Sequence, residues 1–281
     1  MRIHIEYVVT NENPEVKIRL GIFESKNNNK KAKPVIIIPG WLSAIDNFTP
    51  LAEALQKYRT AIIYEPRGFG KSLTPHKKGL FSPKEYDKEL AKVIEHLGFK
   101  DREFVILGSC SGSSQMYDFY LNEKGPKPVF LAAFNSQEKY DMPFFVPVLG
   151  VIPTFIMKFV QKMIIVIYRF ILKLKRTGES PNVTWAANRL KVNDDWSLRR
   201  HVIEFTNKYD IRGRQNEIDV PLITFTAEKD HFVNPEISKK FLHNKDSELI
   251  ILKTEFHRIH EGREEKIAED IQKFAEKLKV A

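Results

Sequence analysis

Cysteine is almost absent from this chain, which has 281 residues and a single Cys. One cysteine excludes an internal disulfide framework, and it excludes zinc or iron–sulfur sites built from several thiolates. Any cysteine chemistry in this protein must therefore depend on one thiol and on where that thiol lies in the fold.

Long apolar runs are also missing. The longest apolar segment without a charge covers residues 142–157, and its 16 residues include three prolines. A spanning helix needs about 20 apolar residues, and proline interrupts a helix. Residues 1–9 alternate apolar and polar side chains, unlike the cationic start and apolar run of a signal peptide. We therefore expect a cytoplasmic protein without a spanning helix.

The positive charge is concentrated in one part of the chain. Lys and Arg total 45 against 36 Asp and Glu, which gives a net charge of +9, and residues 142–178 contain six basic residues and no acidic one. The sequence shows no basic and aromatic platform and no nucleic-acid motif, so we expect no nucleic-acid partner.

Short apolar segments alternate with helical patterns over most of the chain. Residues 3–9 and 16–23 predict a hairpin. Residues 34–39 are fully apolar, which is typical of a strand buried on both faces. Further strand-like segments, mainly apolar, occur at residues 59–65, 103–107, 127–134, 220–227 and 248–253. Helical patterns between them predict an α/β fold with a mainly parallel sheet flanked by helices.

One long segment breaks this alternation, because it contains helical and irregular patterns but no clear buried strand. We therefore predict an α/β core formed by residues 1–135 and 216–281, interrupted by a helical cap or lid at residues 136–215.

The single cysteine lies in the sequence Gly108-Ser109-Cys110-Ser111-Gly112, between a predicted strand and a predicted helix. This spacing matches a G-x-nucleophile-x-G elbow, in which small flanking residues let the strand and helix backbones approach closely. The helix N-terminus favours a thiolate. Two alternatives remain open: Cys110 is a buried structural residue, or the frame is shifted so that Ser111 is the nucleophile.

These motifs resemble the α/β-hydrolase superfamily, nearest to its monoacylglycerol lipase and lysophospholipase members, with Cys where most relatives have Ser. Residues 39–41 (Pro-Gly-Trp) resemble the family's oxyanion loop, with Pro39 in place of His. The resemblance implies that the oxyanion hole is formed by the backbone N–H groups of Trp41 and Ser111. It implies no metal and no organic cofactor. Residues 65–72 resemble the structural D-x-R-G-x-G-x-S motif, with Glu65 for Asp.

The resemblance also places the acid and the base, in the chain order nucleophile, acid, histidine. Residues 228–235 resemble the family's G-x-x-D-x-x-V-P segment, which implies that Asp230 is the acid. Glu228 and Glu138 are alternative acids.

The base is one of two histidines, because residues 257–265 resemble the C-terminal H-E-x-x-x-E-x-x-R pattern in two registers. The short loop after the preceding strand favours His257, and His260 is the second choice. We expect His231, beside Asp230, to be a surface residue.

Together these residues imply a hydrolase that cleaves ester or thioester bonds of an apolar acyl or lipid-like substrate. A Cys110–His257–Asp230 triad would form an acyl-enzyme intermediate. Two alternatives are an acyltransferase that uses the same intermediate and a non-catalytic, ligand-binding member of the fold.

The charged segment has its own pattern. Its basic residues fall within about 60° on a helical wheel, and they are Lys158, Lys162, Arg169, Lys173 and Arg176. A cationic row on an otherwise apolar helix is typical of a lid that contacts lipid, which predicts peripheral membrane contact through the cap. A cap helix buried against the core, with its lysines extended to solvent, would have the same pattern.

Overall fold

The computed structural model describes residues 3–26, 32–175, 181–230 and 233–281. Arg176 and His231, which the sequence singled out, lie outside these residues. The strands are β1 (His4–Glu12), β2 (Glu15–Phe23), β3 (Val35–Ile38), β4 (Ala61–Glu65), β5 (Val105–Ser109), β6 (Phe130–Phe134), β7 (Leu222–Ala227) and β8 (Glu248–Leu252). The α-helices are α1 (Ile45–Leu55), α2 (Pro83–His96), α3 (Ser111–Asn122), α4 (Thr154–Lys175), α5 (Pro181–Val192), α6 (Asp195–Arg200), α7 (Pro235–Lys239) and α8 (Glu264–Lys277).

The eight strands form one sheet in the order β1-β2-β4-β3-β5-β6-β7-β8. The predicted hairpin is the antiparallel pair β1 and β2, and β2 also pairs antiparallel with β4. All remaining neighbours are parallel. The predicted fold class, a mainly parallel sheet flanked by helices, is confirmed.

The two faces of the sheet bury separate apolar clusters. Helices α2 and α3 cover one face, where Tyr86, Val93 and Phe119 pack on the strands. Helices α1 and α8 cover the other face with residues such as Phe48 and Ile271. The central strands are buried on both sides, which explains why their sequences are mostly apolar.

The chain between β6 and β7 contains helices and irregular segments but no strand among its described residues. It includes α4, α5, α6, a 3₁₀ turn at Val146–Gly150 and a π-helical turn at His201–Thr206. No described helix is long and apolar enough to cross a membrane.

Candidate active site

The residues singled out from the sequence come together at one edge of the sheet. Cys110 follows β5, Trp41 lies just beyond β3, Asp230 follows β7, and His257 lies beyond β8. Since these strands are parallel, their carboxyl ends meet at the same edge, where open α/β sheets bind ligands.

Cys110 lies on a strained turn between β5 and α3. Its backbone angles are φ 51° and ψ −113°, and it is the N-cap residue of α3. The flanking glycines make this turn possible. A Cβ on Gly108 would lie 2.5 Å from the Cα of Ser113, and one on Gly112 would lie 2.2 Å from the carbonyl oxygen of Ile38. The strain at Cys110 persists because the packed strand and helix fix both ends of the turn.

Two backbone amides lie beside this turn. The loop after β3 touches the elbow, because a Cβ on Gly40 would lie 3.3 Å from the Cβ of Cys110. Within the described chain, the N–H of the next residue, Trp41, has no hydrogen-bond acceptor. Ser111 is the first residue of α3, a position whose N–H has no partner within the helix. Both amides are therefore available to an oxygen bound near Cys110.

His257 pairs with Asp230. Its Nδ1 lies 2.7 Å from Oδ2 of Asp230, whose side chain is fully buried, while the imidazole remains partly exposed. Neither of the two alternative acids is paired with His257 in this way. Glu228 is exposed at the end of β7, and Glu138 pairs with Lys240 at 2.6 Å.

The pKa of His257 reflects groups on both sides of the ring. Burial lowers it, but the charge of the Cys110 thiolate, the hydrogen bonds to Asp230 and Cys110 and the charge of Asp230 together raise the pKa to about 10. The imidazole therefore forms hydrogen bonds with both the Asp230 carboxylate and the Cys110 side chain. This arrangement can hold a thiolate and an imidazolium as an ion pair.

The order of these residues and the strain at Cys110 are typical of one fold family, and a family model described as α/β hydrolase fold matches residues 33–263. The chain belongs to the α/β-hydrolase fold family. None of the curated protein sequences compared with it matches significantly.

Solved structures of the α/β-hydrolase fold resemble the chain over nearly its whole length. An esterase from Thermogutta terrifontis is 13% identical with a TM-score of 0.75, and 98% of each chain is covered. An esterase from Exiguobacterium antarcticum is 16% identical with a TM-score of 0.74, covering 96% of this chain and 98% of that chain. An enol-lactonase from Burkholderia xenovorans is 16% identical with a TM-score of 0.72, covering 96% and 99%. At these identities the likeness shows the fold alone.

Within this α/β-hydrolase fold, the surroundings of His260, the second-choice base, differ from those of His257. Its ring stacks on Phe48, with 4.3 Å between ring centroids, and on Phe134, at 5.8 Å. Burial lowers the pKa of His260 to about 4. The structure therefore packs His260 as a neutral ring between two aromatic side chains, whereas it brings His257 to Asp230 and Cys110.

Tyr140 is a site residue that sequence reasoning missed. Its hydroxyl lies 2.7 Å from Oγ of Ser114, and it also forms a hydrogen bond with Cys110. Burial, followed by the charge of Cys110, raises the pKa of Tyr140 well above its usual value. The phenol is therefore neutral and can donate a hydrogen bond to the sulfur. No motif surrounds Tyr140, so its place in the site could not be predicted from local sequence.

Asn135 was missed as well. It follows β6 in a left-handed conformation, with φ 54°, which Asn tolerates better than most residues. Its side-chain amide donates to the carbonyl oxygen of His257 at 2.7 Å. Asn135 thus fixes the loop that presents the imidazole. Its position after a buried strand was the available signal, because active-site residues often follow parallel strands.

Helix α5, from the chain between β6 and β7, supports the loop after β3. The carbonyl oxygen of Leu42, a residue with φ 68°, accepts hydrogen bonds from Nε of Arg189 at 3.0 Å and from the Asn193 amide at 3.2 Å. Arg189 also pairs with Asp46 at 2.8 Å. These contacts hold the strained residue that follows Trp41.

Glu65, the last residue of β4, holds the end of the same loop where it enters α1. Its buried carboxylate accepts hydrogen bonds from the N–H of Ile45 at 3.0 Å and from that of Lys71 at 2.6 Å. The carboxylate thereby joins the N-terminus of α1 to the turn after β4.

Among the described residues, no group of three or more His, Cys, Asp or Glu side chains is arranged to hold a metal ion.

Proposed function

We propose that this protein is a hydrolase that cleaves activated ester or thioester bonds of an apolar acyl substrate, with Cys110 as nucleophile, His257 as base and Asp230 as the acid that orients it. The observation that carries the proposal is the continuous contact from Asp230 through His257 to the strained Cys110. Three observations support it: the 2.7 Å hydrogen bond between Nδ1 of His257 and Oδ2 of Asp230, the hydrogen bond between the side chains of His257 and Cys110, and the position of Cys110 as the N-cap residue of α3.

The first half-reaction forms a thioester. The thiolate attacks the substrate carbonyl carbon, and the carbonyl π electrons move to oxygen, where the N–H groups of Trp41 and Ser111 stabilise the oxyanion. When the oxyanion collapses, the bond to the leaving group breaks, and the His257 imidazolium donates its proton to that group. The acyl group remains on the sulfur.

The second half-reaction returns the enzyme to its starting state. Water attacks the thioester carbonyl while neutral His257 takes a proton from it. Collapse of the second tetrahedral intermediate breaks the carbon–sulfur bond and releases the acid and the thiolate. Asp230 keeps the imidazole in the tautomer and orientation that this exchange needs.

The cysteine favours activated substrates. A thiolate is a better leaving group than an alkoxide, so the intermediate formed with an unactivated alkyl ester collapses back to substrate. Thioesters, aryl or enol esters and lactones have leaving groups that compete with the thiolate. One structural relative is an enol-lactonase, which is consistent with this substrate class.

Intact-mass spectrometry during turnover of p-nitrophenyl acyl esters tests the proposal. We expect nitrophenol release by the wild-type protein, accompanied by an acyl adduct whose mass follows the chain length. Both signals should disappear in Cys110→Ala, because the chain has no other cysteine. His257→Gln is the matched variant that distinguishes an activated nucleophile from a merely reactive thiol. We expect its acylation to be slower by at least about a hundredfold.

Two outcomes would contradict this function. If neither nitrophenol nor an adduct appeared across the series, the fold would serve binding rather than catalysis. If His257→Gln were acylated as fast as the wild-type protein, Cys110 would be a reactive thiol without a base. Adding alcohols or amines and identifying the products would show whether the acyl group passes to water or to another acceptor.

A further inference from the structure

Helix α4 is exposed around most of its circumference. Only a narrow row is half-buried, and its members recur every three or four residues: Thr154, Met157, Gln161, Ile165, Tyr168 and Leu172. The opposite side is apolar and open to solvent, with Phe155 74%, Phe159 62% and Phe170 60% exposed. The same side also exposes Ile156, Val160, Met163, Ile164, Val166, Ile167, Ile171 and Leu174.

The segment before α4 extends this apolar surface. Phe144 is 95% exposed, and Phe145, Val148 and Val151 are exposed as well. We call these residues and the exposed side of helix α4 the α4 surface. So many exposed apolar side chains in neighbouring segments are unusual on a protein that contacts only water, and they indicate a binding partner.

A row of positive charge borders the α4 surface. On a wheel at about 100° per residue, the exposed residues Lys158, Lys162, Arg169 and Lys173 lie between the half-buried row and the apolar side. No acidic residue occurs anywhere in residues 142–178. The surface therefore combines exposed aromatic and aliphatic side chains with charge of one sign.

The start of α4 is attached to the body of the protein. Arg199 donates to the carbonyl oxygen of Ile152 at 2.5 Å and to Oγ1 of Thr154 at 2.8 Å. Arg200 donates to the carbonyl oxygen of Gly150 at 2.8 Å. These bonds come from α6 and its junction with the π-helical turn, and they fix the helix start while its apolar side faces solvent.

We propose that the α4 surface docks on an anionic lipid surface, with the helix lying in the interface and its basic row facing the lipid headgroups. Apolar side chains of a surface helix enter the boundary between headgroups and acyl chains. Each nearby Lys or Arg adds attraction to anionic lipid. The helix does not cross the bilayer, since no described helix is long and apolar enough to do so.

Charge favours lipid over a second copy of this chain. Two α4 surfaces facing each other would bring together two segments that each carry six basic residues and no acidic residue. Neither segment contains an acidic residue that could offset this repulsion. An anionic bilayer supplies both the apolar medium and the opposite charge.

The proposal does not depend on the catalytic one, so its test uses no substrate. Cosedimentation measures binding of the full chain to phosphatidylcholine vesicles with and without phosphatidylserine. We expect binding to the anionic vesicles, much weaker binding to phosphatidylcholine alone, and a decrease as salt rises from about 0.05 to about 0.5 M. The Cys110→Ala variant should bind like the wild-type protein.

Three pairs of substitutions, one of them a control, separate the contributions of charge and apolar contact to vesicle binding. Lys162 and Lys173 form no ion pair with any described residue, so Lys162→Glu with Lys173→Glu should weaken binding at least about tenfold without destabilising the fold. The matched control, Lys84→Glu with Lys100→Glu, changes the charge equally at exposed lysines outside the α4 surface, and it should bind nearly as well as the wild-type protein. Phe159→Gln with Phe170→Gln should also weaken binding, since both rings are exposed.

Three results would overturn the proposal. The first is no wild-type binding to either type of vesicle. The second is equal loss of binding in the Lys84 and Lys100 control, which would indicate a general effect of net charge. The third is a dimer that Phe159→Gln with Phe170→Gln converts to a monomer, with vesicle binding unaffected by any of the substitutions. That result would identify a second copy of the chain as the occupant.

Discussion

At the scale of single residues, the candidate site depends on how three side chains share charge. His257 is placed between the Asp230 carboxylate and the Cys110 sulfur, and Tyr140 forms a further hydrogen bond with that sulfur. A neutral phenol and an imidazolium both stabilise a thiolate. The sulfur therefore has donors available before any substrate binds.

The charge on Cys110 can be tested through the imidazole. Burial lowers the pKa of His257, but Cys110 and Asp230 raise it to about 10. In Cys110→Ala the interaction with the sulfur is lost while burial and Asp230 remain, so the pKa of His257 should fall well below about 10. A titration of His257 followed by NMR measures this change.

The isosteric variant Cys110→Ser serves as the control for shape. A neutral hydroxyl occupies the same place without the charge, so the pKa of His257 should also fall in this variant. If the pKa stayed near about 10 in both variants, the charge of Cys110 would not be its cause, and the ion pair would have to be abandoned.

At the scale of elements, a helix from outside the sheet supports the candidate oxyanion hole. Arg189 of α5 binds both the carbonyl oxygen of Leu42 and the carboxylate of Asp46. The N–H of Trp41 belongs to the residue just before Leu42. The position of this amide thus depends on a helix distant in sequence.

We therefore expect Arg189→Gln to lower kcat about tenfold with little change in KM, because displacing an oxyanion donor costs less than the 10²–10³ of removing it. Steady-state kinetics with a p-nitrophenyl ester measures the effect. Arg189→Lys should recover only part of the rate, since a Lys side chain cannot bind Leu42 and Asp46 with the planar fork of Arg.

The matched control is Arg212→Gln, which removes an exposed arginine paired with Asp210 at 2.6 Å. It should leave kcat unchanged. If Arg189→Gln lowered the melting temperature and raised KM while kcat stayed constant, Arg189 would stabilise the packing of α5 without positioning the amide of Trp41.

The elements that could be predicted from the sequence were those with a strong local signal. The central strands are mostly apolar because both faces are covered, and the glycines around Cys110 follow from the close approach of β5 and α3. Strands β5 and β7 were therefore recognisable without tertiary information, as the segments 103–107 and 220–227, although their exact ends differ from the prediction by two residues or fewer.

Other features depend on tertiary contacts that no local pattern encodes. Tyr140 lies in a loop without a motif and reaches Cys110 only because the chain folds back after β6. Helix α4 is apolar on most of its circumference, so its pattern could not distinguish a helix packed on the core from one exposed to solvent. The two registers of the His257 segment also required the fold, which stacks His260 between Phe48 and Phe134.

At the scale of the whole molecule, two buried histidines link stability to pH. Burial lowers the pKa of His260 to about 4 and that of His201 to about 3. An unfolded chain binds these protons near pH 6.5. Below that pH the unfolded state holds more protons than the folded state, so the free energy of unfolding falls as the pH falls toward 4.

His260→Phe isolates one of these two contributions and also tests the choice of base. Phe keeps an aromatic ring between Phe48 and Phe134 but cannot take up a proton. When the pH is lowered from 8 to 5, the free energy of unfolding should fall by about 2 kcal/mol less in the variant than in the wild-type protein. Urea denaturation at the two pH values measures this difference. The matched control, His243→Phe, replaces an exposed histidine and should show no such difference from the wild-type protein.

The same His260→Phe variant tests the choice of base. Because His257 is the proposed base, His260→Phe should retain nitrophenyl esterase activity at pH 8. If the variant lost its activity at pH 8 while its free energy of unfolding at that pH matched that of the wild-type protein, His260 would instead be the base.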